Sequence, residues 1–168
     1  MAYQLIVALH VIGATGALAT GFLALLAFPN GSARHRILGK FYLACWVTLA
    51  ISGLIVGMRR PGVSVFEVLT WLGMSCTLYA YSFVLRRKAL GRTWLRHHYQ
   101  WMLGSLTFIV VATINQLLPR IGIEYPMWVF YLMVAVPAPI NIWATRAFDR
   151  RYGFAKPAAE VAQAAPPA

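Results

Sequence analysis

The chain has 168 residues, of which 60% are hydrophobic and only 11% charged, and its 15 Lys and Arg against 4 Asp and Glu give a formal net charge of +11. A soluble domain of this size is about 25% charged and under half apolar, so the composition excludes an ordinary water-soluble fold. The basic residues sit between long apolar runs and not along one polar face, which sets nucleic-acid binding aside and suits contact with anionic lipid headgroups.

A bilayer core asks for about 20 apolar residues per helix. Residues 5–28 form the first such run, with no formal charge and one histidine, His10, before Pro29-Asn30-Gly31-Ser32 breaks it. Met1-Ala2-Tyr3-Gln4 lacks the positive flank of a signal peptide and the run is too long for its core, so the first helix is expected to be retained. The second span, 41–58, closes at Arg59-Arg60-Pro61-Gly62. The third, 64–85, is uncharged from Val68 onward and closes at Arg86-Arg87-Lys88. The fourth covers 99–119. The fifth, 125–145, contains Pro137-Ala138-Pro139, where a kink is expected, since neighbouring helices satisfy the freed carbonyls. The Ala/Pro-rich tail 157–168 has no apolar face and is expected to be disordered. The fold class that follows is an all-α integral membrane bundle of about five helices, one domain over 1–156, with no internal repeat.

Basic residues set the orientation. Arg34, Arg36, Lys40, Arg86, Arg87, Lys88, Arg92, Arg96, Arg146, Arg150, Arg151 and Lys156 fall on one side, and Arg59, Arg60 and Arg120 on the other. Twelve against three predicts an outside N-terminus and a cytoplasmic C-terminus in a bacterial inner membrane. Trp71 and Trp128 near the outer boundary, with Trp101 and Trp143 near the inner one, resemble two aromatic belts. Cys45 and Cys76 lie inside apolar runs without CxxC or CxxCH spacing. They read as small buried hydrophobes, and attached c-type haem is excluded.

Four histidines are the candidates for chemistry. His35 follows the first span, and His97 and His98 open the fourth, so these three share the cytoplasmic level. His10 lies about 25 Å away in depth, so no one metal can bind both groups. His35, His97, His98 and Arg36 make a candidate cofactor site, with haem b as its occupant. The alternative is that the cations only hold headgroups. His10 shares a helix face with Gly13, Ala14, Ala17 and Gly21, a stripe that reads first as close helix packing. A polar ring within a span needs a partner. Asn115 or Gln116 at the same depth is the expected one, and a substrate or quinone site there is the sharper reading. The acids are poor catalysts: Glu67 can pair with Arg60 and Glu124 with Arg120, while Asp149 sits among Arg146, Arg150 and Arg151. There is no phosphate loop, HExxH or nucleophile elbow.

The segment His35-Arg36-x-x-Gly39-Lys40-x-Tyr42 resembles the HRxxGRxY segment of a family of predicted bacterial membrane proteins, domain of unknown function 2306. His98-Tyr99-Gln100-Trp101-Met102 resembles the family's later histidine with Met four residues on, and His10 matches a histidine in its first span. The likeness runs from about Leu5 to Pro119. It departs at Asn115-Gln116, where the family pattern has an Arg. The resemblance implies a polytopic membrane protein and supplies no activity. The leading expectation is a small membrane subunit with an internal histidine site, haem-binding and redox-linked, working with a membrane partner or a second copy. A structural or assembly protein without cofactor is the alternative. A small transporter comes third, disfavoured by the lack of intramembrane acids. No motif assigns a reaction, so whether the chain is an enzyme stays open.

Overall fold

The computed structural model describes residues 1–27, 31–59, 61–62 and 64–154. The tail 157–168, Lys156, Arg60 and the Pro29-Asn30 break lie outside the described residues. Seven helices follow in order: α1 Ala2–Leu26, α2 Ala33–Gly57, α3 Val65–Leu85, α4 Arg87–Leu90, α5 Thr93–Arg120, α6 Met127–Ala135 and α7 Pro137–Arg151. No strand occurs among the described residues. Five helical stretches are long and apolar enough to cross a membrane, with α6 and α7 together forming the fifth.

Several helices begin earlier than the apolar runs suggest. Ser32 caps α2 by accepting the His35 N–H at 3.2 Å, so the helix starts eight residues ahead of the uncharged run. At α3, the Ser64 hydroxyl accepts from Glu67 N at 3.3 Å while the Glu67 carboxylate accepts from Ser64 N at 2.8 Å. That reciprocal capping box explains why Glu67 sits inside the first turn. Gly91, with φ of +56°, turns the chain from α4 into α5, a conformation open to glycine. In the fifth span Val136 keeps helical angles between α6 and α7, so the prolines kink the path without ending it.

The helices α1, α2, α3 and α5 form a ring of antiparallel neighbours in chain order, built from two tight hairpins, α1–α2 and α3–α5. The small-residue stripe sets the first hairpin. A Cβ at Gly13 would lie 3.0 Å from Leu49 N and one at Gly21 would lie 2.7 Å from the Tyr42 ring, so α1 rests directly on α2. Ala17, between them, is fully buried beside Tyr42, Trp46, Leu49 and Ile109. Between the two hairpins, a Cβ at Gly73 of α3 would collide with the Trp46 ring of α2, so this glycine makes room for the largest core side chain. Both cysteines are free thiols, Cys76 buried and Cys45 half-buried. Trp71, Trp101, Trp128 and Trp143 are all exposed, as interfacial tryptophans are.

The fifth span lies outside this ring and packs on α5 alone. Three polar contacts fasten it. Tyr125 donates to the Asn115 side-chain oxygen, Asn141 donates to Thr107 Oγ1 at 2.7 Å, and Asp149 is clamped by α5. Arg96 grips Asp149 through two bonds of 3.0 and 3.1 Å, and the Tyr99 hydroxyl donates to the same carboxylate. Asp149 thus takes a cation 53 positions earlier as partner, because α7 lays it inward onto α5. Glu124 and Arg120 form no ion pair, and Arg60, the expected mate of Glu67, lies outside the described residues.

Candidate functional site

α2 and α5 sit diagonally across the ring, and their backbones never come within 8 Å of one another. Only long side chains bridge that gap, and two pairs do so with the same sequence separation of 63. At one level Tyr42 meets Ser105 at 2.8 Å. Ser105 already donates to Met102 O at 2.9 Å, so Tyr42 is the donor between them. Two helical turns away, about 10 Å along the axis, His35 meets His98. Both helices run in the same direction, so a seven-residue step on each keeps the register.

The two imidazoles have ring centres 6.5 Å apart and planes crossed at 80°. Each is anchored within its own hairpin. His35 Nδ1 lies 2.9 Å from the Ala24 carbonyl of α1, and His98 Nδ1 lies 3.2 Å from the Ala80 carbonyl of α3. A carbonyl oxygen only accepts, so each Nδ1 donates, and in the neutral form of each ring Nε2 carries the lone pair. Neither Nε2 has a hydrogen-bond partner. An imidazole fixed through Nδ1–H to a backbone carbonyl, with Nε2 open, is the form in which proteins present histidine to a metal.

Around this pair the helix ends are strongly basic. Arg34, Arg36 and Lys40 are exposed, and the Arg36 side chain makes no hydrogen bond. Asp149, which reaches the first turns of α5, is already paired with Arg96. Gly39, one turn on from His35, has no atom within 4 Å of where a Cβ would lie, so the flank of His35 is open.

The remaining expected residues fall elsewhere. His97 is exposed and stacks on Phe83 at 4.7 Å and 21°, away from the pair. A three-histidine cluster is therefore corrected to two: adjacent helix positions diverge by about 100°, so His98 facing inward turns His97 outward. Among the described residues no three His, Cys, Asp or Glu side chains gather into a metal cage. His10 does lie far from the pair, but its partner is Ser52 of α2 at 3.4 Å, not Asn115 or Gln116. Asn115 is buried and taken up by Val111 O at 2.8 Å, Met133 and Tyr125. Gln116 faces the cavity that His10 also lines. Residues not foreseen as functional, Ser52, Ser105 and Tyr42, carry ordinary side chains on their helices. The shared 63-residue offset between α2 and α5 could have found Tyr42 and Ser105, but it does not point to Ser52, which meets His10 of α1.

Comparison with protein-family models, characterised proteins and solved structures finds no match to this chain.

Proposed function

We propose that the chain is a small membrane subunit whose His35 and His98 hold a haem b near the cytoplasmic surface and serve one-electron transfer there. The observation that carries this reading is the pair itself: two imidazoles from diagonal helices, each locked by Nδ1 to its own hairpin, with both Nε2 atoms open and 6.5 Å between ring centres. Two in-line metal–nitrogen bonds of about 2 Å, with each nitrogen about 1 Å from its ring centre, place the centres roughly 6 Å apart. A bare divalent ion would want three or four protein donors, and the described residues offer no such group. Haem iron asks the protein for one or two ligands, and His35 and His98 would provide them.

The surroundings agree in charge. Haem carries two carboxylates, and Arg36 with its basic neighbours offers free cations beside His35. Gly39 leaves room where a side chain would otherwise fill the flank. The twelve-to-three split of basic residues supports a cytoplasmic placement of this end. The proposal also keeps the resemblance to the predicted membrane family, whose two histidine-bearing segments are the ones that supply this pair. When bound, the haem supplies a reversible one-electron couple. The chain's own part is to fix both rings and to bury them between the hairpins.

The test is the absorption spectrum of protein purified from haem-sufficient cells. Wild type, His10→Ala and His97→Ala are expected to show the Soret band of a bound haem, and His35→Ala and His98→Ala to lose it while remaining inserted and helical. A colourless wild type would leave the two rings as a packing contact between hairpins, the role of a structural or assembly protein.

A further inference from the structure

At the opposite end of the ring the four helices enclose a cavity of about 380 Å³. This is within the size range of small-molecule sites, which are mostly apolar with a few fixed polar groups. Its walls are largely apolar and aromatic, including Trp46 and Phe108. Among its lining residues Val11 of α1, Leu54 of α2, Trp71 of α3 and Leu117 of α5 are exposed, so the cavity borders the outer surface of the bundle, where acyl chains would lie. Polar side chains are interspersed, among them Thr15, Thr70 and Thr113, with His10 and Gln116 at its wall. His10 packs on Gly53, whose Cβ would lie 3.2 Å from His10 Cε1. The Ser52 hydroxyl donates to Thr48 O at 2.6 Å, so in its 3.4 Å contact with His10 the imidazole Nδ1–H is the donor. The Leu49 carbonyl of α2 is a second acceptor for the ring, and in the neutral Nδ1–H tautomer Nε2 is an acceptor for which no partner is found among the described residues. Gln116, on the last turns of α5, lines the same space with an amide that both donates and accepts. Glu67 and Arg120 also line it, so the opposite charges leave no net preference for an ion.

We propose that this cavity binds the ring of a membrane-soluble hydroquinone. One phenolic hydroxyl donates to His10 Nε2, the oxygen across the ring meets Gln116, and the apolar tail leaves toward the outer surface of the bundle. A neutral flat ring with a donor at one edge satisfies the open acceptor, the aromatic walls and the balanced charge together. A carboxylate would face both Glu67 and the His10 lone pair. An acyl chain alone would offer nothing to His10 Nε2, leaving that nitrogen without a hydrogen bond in a largely apolar cavity, which is unfavourable. The site is separate from the His35–His98 pair and stands without it.

The experiment uses the full chain in phosphatidylcholine nanodiscs, titrated with decylubiquinol and followed by the fluorescence of the tryptophans, of which Trp46 and Trp71 line the cavity. The expected result is saturable binding that His35→Ala leaves unchanged and that His10→Phe weakens by about tenfold, the effect of one lost hydrogen bond to a buried acceptor. Decanol in excess, which carries the chain without the ring, is expected not to displace the quinol from wild type. This second arm decides the matter should the His10 variant fail to fold. Absence of saturable binding, equal affinity in His10→Phe, or displacement by decanol would each overturn the proposal.

Discussion

Replacing Ala17 with Leu tests the hairpin on which both sites depend. Ala17 is fully buried, with Tyr42, Trp46 and Leu49 of α2 and Ile109 of α5 around it. On either side of it, Gly13 and Gly21 hold α1 so close that even a single added carbon would sit 3.0 Å or less from α2 atoms. The helix propensities of Ala and Leu are close, so the helix itself is little affected. The added isobutyl volume has nowhere to go. Either α1 lifts from α2, pulling the Ala24 carbonyl from His35, or Tyr42 swings from Ser105. Overpacking of this kind costs about 1–3 kcal/mol. For a chain of this size that is a fall in melting temperature of roughly 2–10 °C. Thermal unfolding in detergent, followed by circular dichroism, measures it. Ala19→Leu, exposed on the far side of α1, is the control and is expected to melt like wild type. If Leu at 17 is silent while Leu at 19 is harmful, the packing face assigned to α1 is wrong.

Three further outcomes are expected. Arg96→Ala leaves the Asp149 carboxylate, only 11% exposed, without its cation, whereas Arg96 itself is 48% exposed; the cost is expected to be about 1–3 kcal/mol, below that of a fully buried pair, and limited proteolysis should release the fifth span faster than in wild type. Ser64→Ala removes one half of the capping box and should lower stability by about 1 kcal/mol, read in the same melting assay, while Ser82→Ala, whose exposed hydroxyl bonds only its own helix, should change little. A reporter fused after Lys156 is expected to be active only in its cytoplasmic form, as the basic asymmetry dictates; activity of a reporter that works only outside would reverse the orientation.

The five spans were legible because runs of about 20 apolar residues have few other uses. Their starts were less so. Hydropathy alone stops where Arg34, Arg36 and Lys40 appear, but the cap at Ser32 starts α2 regardless of the charges on its first turns. The short helix α4 was hidden in a basic stretch that reads as a loop. At the histidines, depth and helical phase brought His35 and His98 together correctly, since rise per residue depends little on sequence. Depth gave the wrong partner for His10, because it selects a level and not a neighbour. Three other helices pass that level, and Ser52 on the adjacent α2 is nearer than Asn115, which Tyr125 already occupies. The clamp on Asp149 was missed for a related reason. The sequence placed Asp149 among Arg146, Arg150 and Arg151 but could not show that α7 lays it onto α5, where the carboxylate meets Arg96 and Tyr99.

In the proposed site, His35 and His98 together would be the two protein ligands of one haem iron. Electron paramagnetic resonance of the oxidised protein, paired with carbon monoxide addition to the reduced protein, reads that ligand set directly. Two imidazoles on one iron predict a low-spin six-coordinate signal, no carbon monoxide adduct, and conversion to a five-coordinate, carbon monoxide-binding haem or loss of haem on replacing either His35 or His98. A high-spin, carbon monoxide-binding wild type, or a low-spin signal that survives both replacements, would contradict it.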